Sequence, residues 1–242
     1  MHMEKGHGTK AALEKSFTVI NNELRSFQSS YFCGSTGTVV VLDGRRITSA
    51  GCGDSPAFLV STLGKATPLT IDHNPNTHEE ERLRVISAGG RVQKMNWGEK
   101  NKRVLSFDNL SGLAMTRAFG DFNFPGVIAN PHVMEQEIQD DSLFLVVASD
   151  GLTEQWTIKG AAEDCLELHM AGLNPREIAE QLTQKAVDRG SRDNISIVVL
   201  NIQRFLTTDL FDEPASNNSR ADDNDEDEDS DNGSLGLALS MY

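Results

Sequence analysis

Leu143-Phe144-Leu145-Val146-Val147-Ala148-Ser149-Asp150-Gly151 is the stretch that decides how this chain folds. A continuous apolar run closed by Ser-Asp-Gly reads as a strand buried on both faces and ended by a turn. A second run, Ile195 to Ile202, opens directly after Gly190-Ser191-Arg192-Asp193-Asn194 and reads the same way. If the two strands lie antiparallel in one sheet, the end of the first and the start of the second share an edge, and Asp150 meets Asp193 there. Ionised carboxylates at close range repel, so such a pair calls for a cation, and hard oxygen ligands with room for water suit Mg²⁺ or Mn²⁺. Taken singly, each aspartate reads equally well as a turn residue that accepts backbone N–H bonds.

Outward from this edge the pattern is mixed. Residues 9–26 carry Leu13, Phe17, Ile20 and Leu24 at helical spacing, with Thr9 as N-cap candidate. Residues 37–42, 47–52 and 57–62 are short apolar or β-branched runs, and Asp43-Gly44 between the first two predicts a hairpin. Thr77 with Glu80 forms a capping-box pattern before a helix that carries Leu83 and Ile86 and ends at Gly89. Asn174, Pro175 and Glu177 repeat that start, with Ile178 and Leu182 inward and Arg189-Gly190 as the stop. Hairpins dominate over βαβ units, so the class is α+β with an antiparallel sheet core.

The 242 residues suffice for one domain with a sizeable core. Three scattered cysteines, Cys33, Cys52 and Cys165, make neither a disulfide framework nor a zinc knuckle. No stretch approaches a membrane span or the apolar core of a signal peptide, which points to a cytoplasmic or nuclear protein with no membrane partner. No basic stripe suggests nucleic acid. The net charge is −14, but −10 of it lies from Asp209 onward, which leaves a body of −4. The run Asp222 to Asp231 is nearly all acidic and lacks the apolar residues that offset ordering entropy. This divides the chain into a domain at 1–206 and an acidic disordered tail at 207–242. The tail reads as a solubilising segment or as a docking segment for a basic partner, the latter weakening as salt rises.

The two aspartate turns resemble the last two motifs of the metal-dependent protein phosphatases, the protein phosphatase 2C or PPM family. The resemblance extends to Gly34-Ser35-Thr36, Gly53-Asp54-Ser55, Asp72-His73-Asn74-Pro75, Ala88-Gly89-Gly90-Arg91-Val92 and Leu113-Ala114-Met115-Thr116-Arg117-Ala118-Phe119-Gly120-Asp121, all in the family's order. It implies an antiparallel β-sandwich flanked by α-helices, with a metal centre at one end and residues 91–112 as a variable flap beside it. It implies hydrolysis of phosphoserine and phosphothreonine without a covalent phosphoenzyme, by water held between two divalent ions roughly 3.5–4 Å apart. Asp150 and Asp193 match the family's C-terminal metal ligands. Asp54 and Glu154 match positions associated with a weaker third ion, although the family commonly has Asp where Glu154 stands.

The same resemblance implies that the sandwich is N-terminally incomplete. The family's Arg for the substrate phosphate, its Glu-Asp pair and its Asp-Gly-His-Gly turn do not appear. Gly6-His7-Gly8 invites comparison with that turn, but Lys5 stands where the metal-bridging Asp should be, and a charged Lys cannot ligate a metal. Two further readings stay open: a catalytically inactive binding module with an acidic docking tail, and a general phosphohydrolase of small esters. Asp121 is read as a turn acceptor, Arg117 as a brace between buried loops, His73 as a turn hydrogen-bonder, and Trp97 and Trp156 as packing residues.

Overall fold

A computed structural model describes residues 7–95 and 101–207, and the backbone of 235–241. In chain order the elements are α1 (His7–Leu24), β1 (Gly34–Asp43), β2 (Arg46–Cys52), β3 (Ala57–Ser61), β4 (Ala66–Pro68), α2 (Glu79–Ser87), β5 (Val92–Gln93), β6 (Arg103–Leu105), β7 (Gly112–Leu113) and β8 (Phe119–Gly120). They continue with β9 (His132–Glu137), β10 (Ser142–Ala148), α3 (Ile158–Met170), α4 (Pro175–Asp188), β11 (Ile197–Asn201), α5 (Ile202–Thr207) and β12 (Leu235–Met241).

Two antiparallel sheets form the centre. One has the order β12-β1-β2-β9, with β8 also paired to β1, and the other runs β11-β10-β3-β4. Alternation along each strand sorts its side chains into layers. Val40, Leu42 and Ile47 of the first sheet meet Ala57, Leu59, Leu145 and Val147 of the second in the sandwich interior. The opposite residues of the second sheet, Phe58, Val60, Phe144 and Val146, pack on Ala161, Ala162 and Cys165 of α3 and Ile178 and Leu182 of α4. Phe17 of α1 covers Ala50, Cys52 and Phe119 on the outer face of the first sheet. The result is the expected sandwich with helices on both outer faces.

β10 is buried along its whole length, as its apolar run demands. β11 is different: it is an edge strand, paired with β10 alone and half-buried throughout, so its apolar residues cover only what β10 leaves open. Pairing of Ala148 with Ile197 sets the end of one strand beside the start of the other.

Local chemistry explains most boundaries. Asn174 caps α4 by accepting from the N–H groups of Arg176 and Glu177, and Glu177 returns a bond to the Asn174 N–H, a complete capping box. The β1–β2 hairpin closes through Gly44 at φ 54°, a conformation that glycine adopts without cost. Other boundaries depart from the sequence reading. α1 begins at His7, which places Thr9 inside the helix and takes His7-Gly8 out of any metal-binding turn; Lys5 and Gly6 lie outside the described residues. Thr77 does not cap α2, because its hydroxyl turns to Asp72 Oδ2 at 3.2 Å, and the N-cap is His78 with no side-chain bond. Leu83 and Ile86 are exposed, and α2 buries Val85 and Glu81 instead. The flap at 91–112 contains a small sheet, β5-β6-β7, while 96–100, including Trp97, lie outside the described residues.

The C-terminal segment departs most. Leu235–Met241, read as part of a disordered tail, forms β12 and pairs with β1 along Thr36–Leu42. Leu235, Leu237 and Leu239 alternate with Gly236, Ala238 and Ser240, a strand period that follows the acidic run and is overshadowed by it. The acidic run itself lies outside the described residues. No helix among the described residues is long and apolar enough to cross a membrane.

Candidate metal centre

A cavity of about 410 Å³ opens at one end of the sandwich, with Thr36, Asp54, Asp121, Ser149, Asp150 and Asp193 on its walls. Each carboxylate arrives on a different piece of chain, so the geometry depends on how those pieces are tied together.

The two aspartates that opened the sequence reading are joined by backbone contacts at the strand ends. Ser149 N–H donates to the Ser196 carbonyl and Ser149 Oγ to the Asn194 carbonyl, each at 3.0 Å. A side chain on Gly151 would put its Cβ 2.5 Å from the Asn194 carbonyl oxygen, so glycine is what lets the two turns close on each other. Ser191 Oγ lies 2.8 Å from both the Gly151 carbonyl oxygen and Glu154 Oε2, and Arg192 N–H donates to the same Glu154 oxygen at 2.9 Å. Those bonds hold the Glu154 carboxyl below its usual range. Glu154 does not line the cavity; it braces the turn that presents Asp193.

Asp54 follows β2 in a turn fixed to β1, where Thr36 Oγ1 and Ser55 Oγ lie 2.8 Å apart and Thr38 Oγ1 donates to the Ser55 carbonyl at 2.8 Å. Its Oδ1 is buried with no hydrogen-bond partner among the described residues. Burial, then the charges of Asp150 and Asp72, push the Asp54 carboxyl up to about 7. Burial and Asp193 likewise raise Asp150.

The sequence context of Asp121 suggests a turn acceptor, and its backbone carbonyl does accept from Phe124 N–H at 3.0 Å, but among the described residues no hydrogen bond ends on its carboxylate, which lines the cavity. The chain passes through Gly120 at φ 69° and Asp121 at φ 49°, and this left-handed pair turns the side chain into the cavity. Asp is among the few residues that enter this region readily, so Gly-Asp after a strand was the available signal. A Cβ on Gly34 would overlap Asp121 Oδ2, so the glycine keeps the space. Burial pushes the Asp121 carboxyl up to about 6.

A further acid, Glu81 of α2, is buried outside the cavity lining. Arg117 grips it with two bonds, at 2.6 and 2.9 Å, and Arg84 adds Nη2 at 2.9 Å. Thr116 Oγ1 lies 3.0 Å from Glu81 Oε2 and 2.9 Å from the His73 carbonyl oxygen, and His73 Nδ1 lies 2.9 Å from the Gly53 carbonyl oxygen. Arg117 is therefore the brace its sequence context suggested. One buried network thus fixes both the segment that leads to Asp121 and the turn that carries Asp54.

No group of three or more His, Cys, Asp or Glu side chains among the described residues is closed into a ready coordination cluster. The carboxylates instead stand around the cavity wall. Nor does any Lys or Arg among the described residues form an ion pair with Asp54, Asp121, Asp150 or Asp193. The donors fit a hard divalent cation: all are oxygens, one is an orphaned buried atom, and two, Asp54 and Asp150, are raised in part by the charge of a neighbouring carboxylate.

Comparison with known proteins establishes the family. The protein phosphatase 2C family model matches residues 3–195. Probable protein phosphatase 2C 8 of Oryza sativa subsp. japonica is 37% identical over 212 residues, covering 81% of this chain and 50% of the relative. Probable protein phosphatase 2C 69 of Arabidopsis thaliana is 35% identical, covering 82% and 52%. The chain thus spans about half the length of these curated relatives. Among solved structures, a C. elegans sex determining protein has a TM-score of 0.65 at 27% identity, covering 77% of this chain and 45% of that one. The Toxoplasma gondii serine-threonine phosphatase 2C shares the fold with a TM-score of 0.66 at 23% identity, covering 78% and 66%. By sequence and by fold, this chain belongs to the protein phosphatase 2C family.

Proposed function

We propose that this chain carries the acidic half of the active site of a metal-dependent protein serine/threonine phosphatase, which hydrolyses phosphoserine and phosphothreonine esters in proteins. The observation that supports it is the cavity: Asp54, Asp121, Asp150 and Asp193 face one space and no cationic side chain among the described residues pairs with them.

Mg²⁺ or Mn²⁺ bound there supplies charge neutralisation for the phosphoryl oxygens and a water acidic enough to attack at neutral pH. Asp150 and Asp193 are the proposed principal ligands, since the strand-end contacts set them side by side. Asp54 and Asp121 line the same cavity, where each adds negative charge that draws a cation in. Glu154, matched at first to a third-ion position, acts through Asp193 by holding its turn. The chain assigns no side chain as nucleophile, because the attacking group is water.

The test is release of phosphate from a phosphothreonine peptide with and without Mn²⁺. Turnover should need Mn²⁺ and fall at least about a hundredfold in Asp150→Asn, which removes a proposed ligand. Equal turnover in the presence of a chelator, or no turnover by a folded chain that binds Mn²⁺, would contradict the proposal.

A further inference from the structure

Among the described residues β12 pairs with β1 alone. The hairpin between β1 and β2 tells which backbone groups hold it. Asp43 and Arg46 flank a two-residue loop, and the pair that closes such a loop is hydrogen-bonded across the hairpin. Alternation then aims the N–H and C=O of Asp43, Val41, Val39 and Gly37 at β2, and those of Leu42, Val40 and Thr38 at the outer edge. The register sets these last three opposite Leu235, Leu237 and Leu239. That edge is a row of donors and acceptors on a strand whose inward residues, Val40 and Leu42, are fully buried, so the strand itself cannot move away.

The segment that fills the edge has a matching chemistry. Leu235 to Met241 carries no charge and no proline, and it alternates large apolar with small residues. A strand with a single neighbour belongs to the low-stability end of a fold. The register also ends at the site, because Met241 faces Thr36, whose side chain lines the carboxylate cavity.

We propose that the outer edge of β1 is a strand-acceptor surface, filled reversibly in this chain by its own residues 235–241 and open to an uncharged, apolar-alternating segment of the same kind supplied in trans. Binding is by strand addition: main-chain bonds hold the segment, and its alternation sets the register. Pairing in cis makes occupancy independent of protein concentration.

Residue-resolved amide hydrogen exchange tests this in the full chain and in a chain ended at Thr207. In the shortened chain the amides of Thr38, Val40 and Leu42 should exchange about tenfold faster or more, while Val39 and Val41 stay protected through β2. A synthetic peptide of residues 235–241 should restore the protection. Two proline variants of the full chain give the same answer without truncation. Leu237→Pro removes an N–H aimed at β1 and should mimic the shortened chain, whereas Ala238→Pro removes one aimed away from it and should leave the exchange close to that of the parent. Unchanged exchange at Thr38, Val40 and Leu42 on truncation, or equal effects of the two prolines, would overturn the proposal. Protection that appears only in a dimer at high concentration would overturn the assignment in cis.

Discussion

Glu81 and three aspartates of the cavity, Asp54, Asp121 and Asp150, are acids at least partly withdrawn from solvent, while Asp193 is exposed at the cavity rim. The chain treats Glu81 and these aspartates in opposite ways. Although burial pushes Glu81 up, the guanidinium groups of Arg117 and Arg84 hold its carboxyl well below the usual range. Asp54 and Asp150 receive no such partner among the described residues; burial first, then the charge of Asp150 on Asp54 and of Asp193 on Asp150, push them up. The first region is internally neutralised and acts as a brace. The second keeps an excess of negative charge that nothing among the described residues neutralises, at the expense of the metal-free fold. A fold that supplies two arginines to one acid and, among the described residues, none to four others fits the proposal that the four are held for a cation from outside.

The sharpest way to break this contrast is to remove the brace. Glu81→Ala should destabilise the chain by about 3–5 kcal/mol in urea unfolding, because two largely buried guanidinium groups lose their counter-charge. A loss under about 1 kcal/mol, the worth of a surface pair, would mean that Glu81 is not the hub.

His73, in the same network, gives a pH signature. Burial first, then the charge of Arg117, lowers its pKa from 6.5 to about 4. The folded pKa lies below the unfolded one, so the group's stabilising contribution is complete above 6.5 and is lost as pH falls toward 4. The conversion gives about 3 kcal/mol across that window. Measured as the difference between the parent chain and His73→Gln, that pH dependence should vanish in the variant; parallel curves would exclude it.

The cavity should respond with the opposite sign. A carboxyl raised to about 7 favours the fold while protonated and opposes it as pH rises from its ordinary 3.8 through 7. Without metal, Asp54→Asn should therefore stabilise the chain by up to about 4 kcal/mol at pH 8. Added Mn²⁺ should reverse the order by stabilising the parent more than the variant. If the variant is less stable under both conditions, Asp54 is a structural acid like Glu81 and the two regions are not different in kind.

Much of this was legible along the chain. The apolar run before Asp150 and the turn before Asp193 gave the antiparallel pair, since local period and strand-end chemistry suffice for neighbours in a sheet. Asn174 and Glu177 gave a capping box because both partners lie within one helical turn. What could not be read depends on groups far apart in sequence. Glu81 looked like one of several acids at a helix start, and only the fold brings Arg117 to it. Asp121 depends on two left-handed residues in succession, which a sequence permits without requiring. Glu154 follows from motif position alone, whereas the bonds from a hydroxyl and a backbone N–H of the Ser191-Arg192 turn to one of its oxygens are visible only in the fold.

The most direct test is calorimetric titration of Mn²⁺ into the folded parent chain and into Asp150→Asn, with circular dichroism to show that both are folded. The account predicts saturable binding by the parent and an affinity at least about tenfold weaker in the variant, a loss of about 1.4 kcal/mol or more. Equal affinity in the two proteins, or no binding by the folded parent, would contradict the claim that these carboxylates are held for a cation.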